Sequence, residues 1–562
     1  MLLKPGLRAL SLLLLAALLL PAPPVRAWFG PGNWGLYRDA PDGGLTGWNN
    51  PRLAQKREQD PDFAVSRWGI WPKWASLEIS EAIMADIMRG YPAGTLSPDF
   101  RRGFGYEQRI MGRLPLYVFR PNAQVTRAEF LAALRRVLQY PEDRAAAEAY
   151  PGIKGAWYEG ELGGMLAKGV ALPVGPRAGE WVSAGGCWIR AAEPGRIYTQ
   201  AMPPGRICGD REYWEAPATR LDVGFWLGRA ARLEGIRSGG RLQFRWVFTN
   251  PEDPFALVYF IREEPIRAEG DPSFSDIRPG EPGAEEVLLA ARTGMIKGYP
   301  DGTFRPGSFL SRAEAAALLV RLAKRLEPDG PVPDERQLEE MYKKYFAVIR
   351  PDHKAGGPDP WLWGGIDPVR LARESGVLDW QMTEAMAMRR SYSSLGVSRD
   401  DVPEYYDKIK DELQWARITD FQARLVWAGR GRAAYIVWSI SGGNAFLPKG
   451  YNASWEPGDM CLMWLSGGFE VLYLTRQPDG RWLISGITPF SSDSKTDDRV
   501  REDFGFRKPD QAVASNCYPV KERRWFRPDA ISQWSKKPLH FERLEAVAPP
   551  EYWDYLRRHG IK

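Results

Sequence analysis

One phrase recurs along this 562-residue chain and restricts its fold more than any other feature. "VTRAEFLAALRRVL" starts at Val125, "ATRLDVGFWLGRAARL" at Ala218 and "LSRAEAAALLVRLA" at Leu310. In each, a hydroxyl residue (Thr126, Thr219, Ser311) stands three positions before an acid (Glu129, Asp222, Glu314). That spacing is a capping box, in which the hydroxyl accepts a first-turn backbone N–H and the acid reaches back to the cap N–H. Asp222 has the shorter reach. Apolar residues then recur at helical spacing, as at Phe130, Leu134, Val137 and Leu138, so each helix buries one face. A chain that repeats such a unit builds by stacking copies whose apolar faces cover one another.

Upstream of each helix start lies a second helical stretch that ends near a glycine. In the third copy, "AEEVLLAARTGMIKGYPDGT" places Gly294 as the C-cap and Tyr299-Pro300-Asp301-Gly302 as a turn. The first copy reads "EISEAIMADIMRGYPAGT" and carries extra residues from about Leu96 to Val118. The second, "WYEGELGGMLAKGVALP", lacks the Gly-Tyr-Pro turn and carries an insertion from about Ala171 to Pro217. Each unit is predicted to be helix, glycine-turn loop, capped helix.

The segment Phe274 to Ala323, with its Gly-Tyr-Pro-Asp-Gly turn and Ser-Arg-Ala-Glu helix start, resembles an S-layer homology domain. The resemblance implies three such modules, at 70–140, 149–235 and 273–326, packed as an all-α, pseudo-threefold helical prism. It also implies a cell-surface anchor in a bacterial cell wall or S-layer, binding secondary cell-wall polysaccharide, often through an acidic pyruvyl ketal. Arg127, Arg220 and Arg312 each open a capped helix, where backbone N–H groups and the helix dipole favour an anion. An arginine fork at that place suits a carboxylate. Arg89, Gly90 and Tyr91 in the first copy, and Lys297, Gly298 and Tyr299 in the third, are the loop residues expected to complete such pockets. Glu129 and Glu314 are assigned to capping. The competing reading of the arginines is an inter-repeat salt bridge or plain exposure.

The opening "MLLKPGLRALSLLLLAALLLPAPPVRAWFG" has a basic start, an apolar run and a small-x-small site ending at Ala27, so a signal peptide over 1–27 is expected, with Trp28 as the mature N-terminus. Removing Lys4, Arg8 and Arg26 lowers the formal charge from +6 to +3, which gives no support for nucleic-acid binding. No later stretch is long and apolar enough to span a membrane. Cys187, Cys208, Cys461 and Cys517 fall as two pairs in separate regions. In an exported chain Cys187–Cys208 and Cys461–Cys517 disulfides are expected, against the alternative of four reduced, buried thiols.

Residues 28–69 form a Trp-, Gly- and Pro-rich lead-in, and 236–272 reads as a β-hairpin. After a linker at 327–335, helical stretches precede β-rich runs with hairpin turns at Gly429, Gly431 and Gly480, which predicts an α+β domain with an antiparallel sheet over 336–490. In order and pattern it resembles a cystatin-like cone. The tail from 491 is expected to pack on it. Three histidines, His353, His540 and His559, lack metal or triad spacing, and no nucleotide or hydrolase motif occurs, so no catalytic residue, metal or cofactor is assigned. Asp459, Glu470 and Asp479 are expected at the surface. The reading is a non-catalytic envelope protein whose C-terminal domain serves an unknown protein partner or a structural role. Alternatives are an anchored enzyme such as a glycan hydrolase, and an assembly scaffold without glycan binding.

Overall fold

The computed structural model describes residues 73–92, 117–174, 181–183, 187–192, 204–237, 241–248, 258–265, 272–349, 368–384, 416–446, 460–466, 469–489, 500–507 and 515–518. The signal segment, the lead-in, most of the first repeat's insertion, Asp459, the three histidines and the tail tryptophans Trp525, Trp534 and Trp553 lie outside the described residues. The architecture mixes helices with antiparallel sheet. Among the described residues no helix is long and apolar enough to cross a membrane.

The first repeat supplies α1 (Lys73–Met84) and α2 (Arg127–Leu138). The second supplies α3 (Glu159–Ala167), a short α4 (Asp210–Glu215) and α5 (Arg220–Leu233), and the third α6 (Ala284–Arg292) and α7 (Arg312–Ala323). The leading helix of each repeat stops in the same way. Asp86, Gly169 and Gly294 take positive φ, and the next N–H reaches back to a carbonyl five residues earlier: Ile87 to Ala82, Val170 to Met165 and Met295 to Ala290 at 2.8, 2.9 and 3.1 Å. Before each second helix the chain is extended and joins the other two. Val125 N–H donates to Leu310 O (2.9 Å), Leu310 N–H to Ala218 O (3.0 Å) and Ala218 N–H to Val125 O (2.8 Å), which closes a ring of three hydrogen bonds. Buried Phe130 stacks on Trp226, and Trp226 on Trp214.

The insertions decorate this frame. In the first repeat β1 (Tyr91–Pro92) pairs with β2 (Tyr117–Val118). In the second, β3 (Trp181–Ser183) pairs with β4 (Trp188–Arg190), and a disulfide joins Cys187 to Cys208 with Cα atoms 5.2 Å apart. Between repeats two and three, β5 (Arg241–Phe248) and β6 (Val258–Pro265) form an antiparallel pair.

Past the third repeat come α8 (Glu335–Ile349), α9 (Pro368–Ser375) and a six-stranded sheet: β7 (Ala416–Gly429), β8 (Arg432–Phe446), β9 (Met460–Ser466), β10 (Glu470–Arg476), β11 (Trp482–Pro489) and β12 (Ser515–Tyr518). The long β8 holds the sheet together. Its one edge pairs with β7, and its other pairs with β10 through 432–437 and with β9 through 440–446. One sheet face, with Tyr435, Val437, Leu472 and Leu474, packs on Tyr342, Tyr345 and Phe346 of α8. The opposite face, with Trp427, Ile436, Trp438, Val471 and Tyr473, enters the same core cluster as the helical repeats. A sheet covered on both sides has no solvent face, and so Ala433–Trp438 reads as an unbroken apolar run.

The helical repeats and the sheet therefore share one core. Gly486 lies against α1, and a β-carbon there would stand 2.6 Å from Met84 Cβ. Buried Glu81 of α1 accepts from Lys324 Nζ at 2.7 Å and from Trp427 Nε1 at 3.0 Å. The Pro- and Gly-rich connection is tied down too, with Tyr435 Oη donating to Pro333 O at 2.7 Å and Gly431 N–H to Asp329 Oδ1 at 3.1 Å. Glu470, expected at the surface, is 3% exposed because the covered face buries it, and it accepts from Tyr342 Oη at 2.7 Å. Asp479 is exposed in the β10–β11 turn.

Candidate functional site

The three capped helix starts are joined in a cycle by their arginines. Thr126, Thr219 and Ser311 accept from the N–H groups of Glu129, Asp222 and Glu314, and each acid returns a bond to its cap N–H at 2.8–2.9 Å. Asp222, despite its shorter side chain, closes its box at 2.9 Å. Each arginine then reaches the capping acid of the next repeat: Arg127 to Asp222 at 2.9 Å, Arg220 to Glu314 at 4.0 Å and Arg312 to Glu129 at 3.7 Å.

The arginines also clasp the neighbouring loops. Arg312 donates from Nε to Phe119 O and from Nη2 to Arg89 O, both at 2.7 Å, and from Nη1 to Tyr91 Oη at 3.1 Å. Arg220 repeats the arrangement with Phe304 O and Lys297 O, both at 2.8 Å. Arg127 donates to Tyr213 O at 3.2 Å. With side chains 3%, 8% and 11% exposed respectively, these groups are clasps between repeats, and the expected solvent-facing fork at each helix start gives way to an enclosed one. Their donors go to backbone carbonyls of the neighbouring repeat.

Two half-buried tyrosines each carry two arginines. The Arg312 guanidinium lies 4.4 Å from the Tyr91 ring centroid and that of Arg120 5.0 Å. The Arg220 guanidinium lies 4.7 Å from the Tyr299 ring centroid and that of Arg305 3.9 Å. Arg120 and Arg305 are both exposed, and both take positive φ, 56° and 58°, which is uncommon outside glycine and asparagine. Each stands in a Phe-Arg-Pro turn seven residues before its helix-opening arginine, so the repeated phrase contained the signal, although the sequence reading singled out neither. Burial foremost, then Glu129, push the Tyr91 phenol up to about 12 against the pull of Arg312. Tyr91 Oη donates to Glu129.

The remaining loop residues divide by repeat. Arg89 is exposed, its guanidinium bound to both Asp86 oxygens at 2.9 Å, and Gly90 is half-buried. Lys297 is exposed and lends its carbonyl to Arg220, while Gly298 packs so closely that a β-carbon would lie 2.4 Å from the Phe274 ring. Asp276 accepts from the N–H groups of Phe304 and Arg305 at 2.7 Å each, holding that turn. Asp301 binds Thr303 and Arg305, which hold its carboxyl below the usual range. The place taken by tyrosine in the other two repeats falls in the second repeat to Tyr213, buried in α4 under Arg127 at 4.4 Å.

Tyr91 and Tyr299 both fall in recognisable sequence. Residues 69–99 and 273–316 match the S-layer homology domain family, so the chain carries that domain's sequence in its first and third repeats. It is also similar to the outer membrane protein SlpA of Deinococcus radiodurans, 35% identical over 94 residues, covering 17% of this chain and 8% of that protein. The outer membrane protein SlpA of Thermus thermophilus is 43% identical over 56 residues, covering 10% and 6%. The chain thus matches only a small fraction of the length of these relatives.

Proposed function

We propose that this is a cell-envelope protein of the bacterial cell surface, held non-covalently to an acidic secondary cell-wall polysaccharide through the clefts at Tyr91 and Tyr299. The observation that carries this reading is that Tyr91 and Tyr299 both lie in the matched S-layer homology segments and that each is stacked by an exposed arginine, Arg305 inside the match and Arg120 beyond it. A carboxylate such as a pyruvyl ketal meets the exposed guanidinium fork there. Of the residues expected to touch glycan, Arg89, Gly90, Tyr91, Lys297, Gly298 and Tyr299 line these clefts, while Arg127, Arg220 and Arg312 act from behind by fixing the loops. The ring through Val125, Leu310 and Ala218 supports a pseudo-threefold arrangement of the repeats. Helix α8 laid across the C-terminal sheet supports the cystatin-like comparison.

In this reading the C-terminal domain is an interaction or structural domain without catalysis. One observation favours a second reading, an assembly scaffold that binds no glycan: the donors of Arg220 and Arg312 are directed to the protein's own carbonyls. Co-sedimentation of the chain with purified wall sacculi, with and without their polysaccharide, separates the two. Sedimentation that depends on the polysaccharide supports the anchor, and sedimentation indifferent to it supports the scaffold.

A further inference from the structure

The clefts at Tyr91 and Tyr299 are braced differently. At the Tyr299 cleft the turn is held from within its own repeat by Asp276. At the Tyr91 cleft the brace comes from the C-terminal domain, through residues 379–384 between α9 and the sheet.

The link is Asp86. Its positive φ of 47° falls where the other two repeats have glycine, Gly169 and Gly294, so an unfavourable left-handed conformation is kept in a residue that brings a carboxylate. That carboxylate binds Arg89 with both oxygens and accepts from Gln381 Nε2 at 3.2 Å. The Asp86 carbonyl accepts from Arg432 Nη2 at 3.2 Å. On its other side the Arg89 guanidinium lies 4.8 Å from the Trp380 ring centroid. Trp380 meets Tyr117 edge-on at 6.1 Å, and Tyr117 Oη donates to Glu384 Oε2 at 2.9 Å. Tyr117 and Val118 are the strand partners of Pro92 and Tyr91. Both the lower loop of this cleft and the strand beside Tyr91 therefore rest on the C-terminal domain. The counterpart of Arg89 in the third repeat, Lys297, is exposed and has no such support among the described residues.

We infer that the C-terminal domain completes the first cleft, with Trp380, Gln381 and Asp86 acting as positioning residues that aim Arg89, and that an acidic sugar binds there more tightly than at the Tyr299 cleft. The inference rests on the glycan reading above. A guanidinium already fixed between a carboxylate and an indole gives up less freedom on meeting a ligand than an exposed lysine without such a brace does.

Each cleft is measured alone, in the full chain, by disabling the other with Arg305→Ala or Arg120→Ala and titrating a pyruvylated N-acetylhexosamine methyl glycoside. Trp380→Leu is expected to weaken the first cleft about tenfold and to leave the Tyr299 cleft within about twofold. Asp86→Asn is expected to act in the same direction. Because either change also touches the shared core, a second readout uses the wild-type chain labelled with 5-fluorotryptophan, the Trp380 resonance being assigned by its loss in Trp380→Phe. That resonance is expected to shift on titration in the Arg305→Ala protein and to stay still in the Arg120→Ala protein. Equal affinities with and without Trp380, or a resonance that stays still in both, overturn the inference alone. Binding in neither single-cleft protein overturns the glycan reading, and this inference with it.

Discussion

Arg312 opens a helix in the third repeat, yet its guanidinium donates to the carbonyl of Arg89, 223 residues earlier, at 2.7 Å. An arginine at this position belongs to the frame. Arg312→Ala removes three hydrogen bonds from a guanidinium that is itself buried, so a loss of roughly 3 kcal/mol or more is expected. Thermal or denaturant unfolding checks it, and Arg305→Ala, at an exposed turn, serves as the control with a nearly unchanged melting temperature.

Glu81 and Lys324 test whether the first and third repeats are locked together by one buried ion pair. Both side chains are 3% exposed, and Trp427 from the sheet supplies Glu81 with its second bond. Removing one partner leaves a buried charge, so Glu81→Leu or Lys324→Met alone is expected to cost roughly 3–5 kcal/mol. The double variant is expected to be more stable than either single one. Denaturant midpoints for the three proteins decide the matter, and additive losses would show that the two sites do not interact.

Asp379 gives a pH dependence with a definite sign. Burial, then the nearby Asp86 charge, raise its carboxyl well above the ordinary value, with Arg89 pulling the other way. A raised folded pKa favours folding fully only below the unfolded value near about 4, and that advantage fades as pH rises toward the folded value. Asp379→Asn keeps an acceptor for Met382 N–H while removing the charge. Its melting temperature relative to wild type is expected to climb between pH 4 and pH 8, and a difference that falls over that range would contradict the assignment.

The cysteines yield a covalent prediction. Cys187 and Cys208 are bonded, and Cys461 stands opposite Cys517 in the antiparallel pairing of β9 with β12. Non-reducing peptide mapping of exported protein is expected to recover both pairs. A bridge between the two regions, or a free Cys461, would contradict it.

Much of the helical half was legible in the sequence because capping is local: Thr126 and Glu129, three residues apart, meet through one turn of backbone. The exposure of the arginines was not legible, since their partners lie far along the chain and a hydroxyl–arginine–acid run reads the same whether it faces water or a neighbour. Arg120 and Arg305 stand in the repeated phrase but are set apart only by a backbone conformation that sequence does not display. The union of the two halves was hidden for a related reason. The linker's prolines and glycines suggest separation, while the sign of a doubly covered sheet, the unbroken apolar run from Ala433 to Trp438, shows only that something covers each face and leaves unnamed what does so.

In the proposed function the exposed arginines over Tyr91 and Tyr299 hold the chain to an acidic wall glycan. The most direct test is co-sedimentation of wild type and the Arg120→Ala, Arg305→Ala double variant with wall sacculi, alongside thermal unfolding of both. The account predicts that the double variant stays in the supernatant while melting where wild type does. Full sedimentation of the double variant, or wild-type sedimentation that persists after the polysaccharide is stripped, would contradict it.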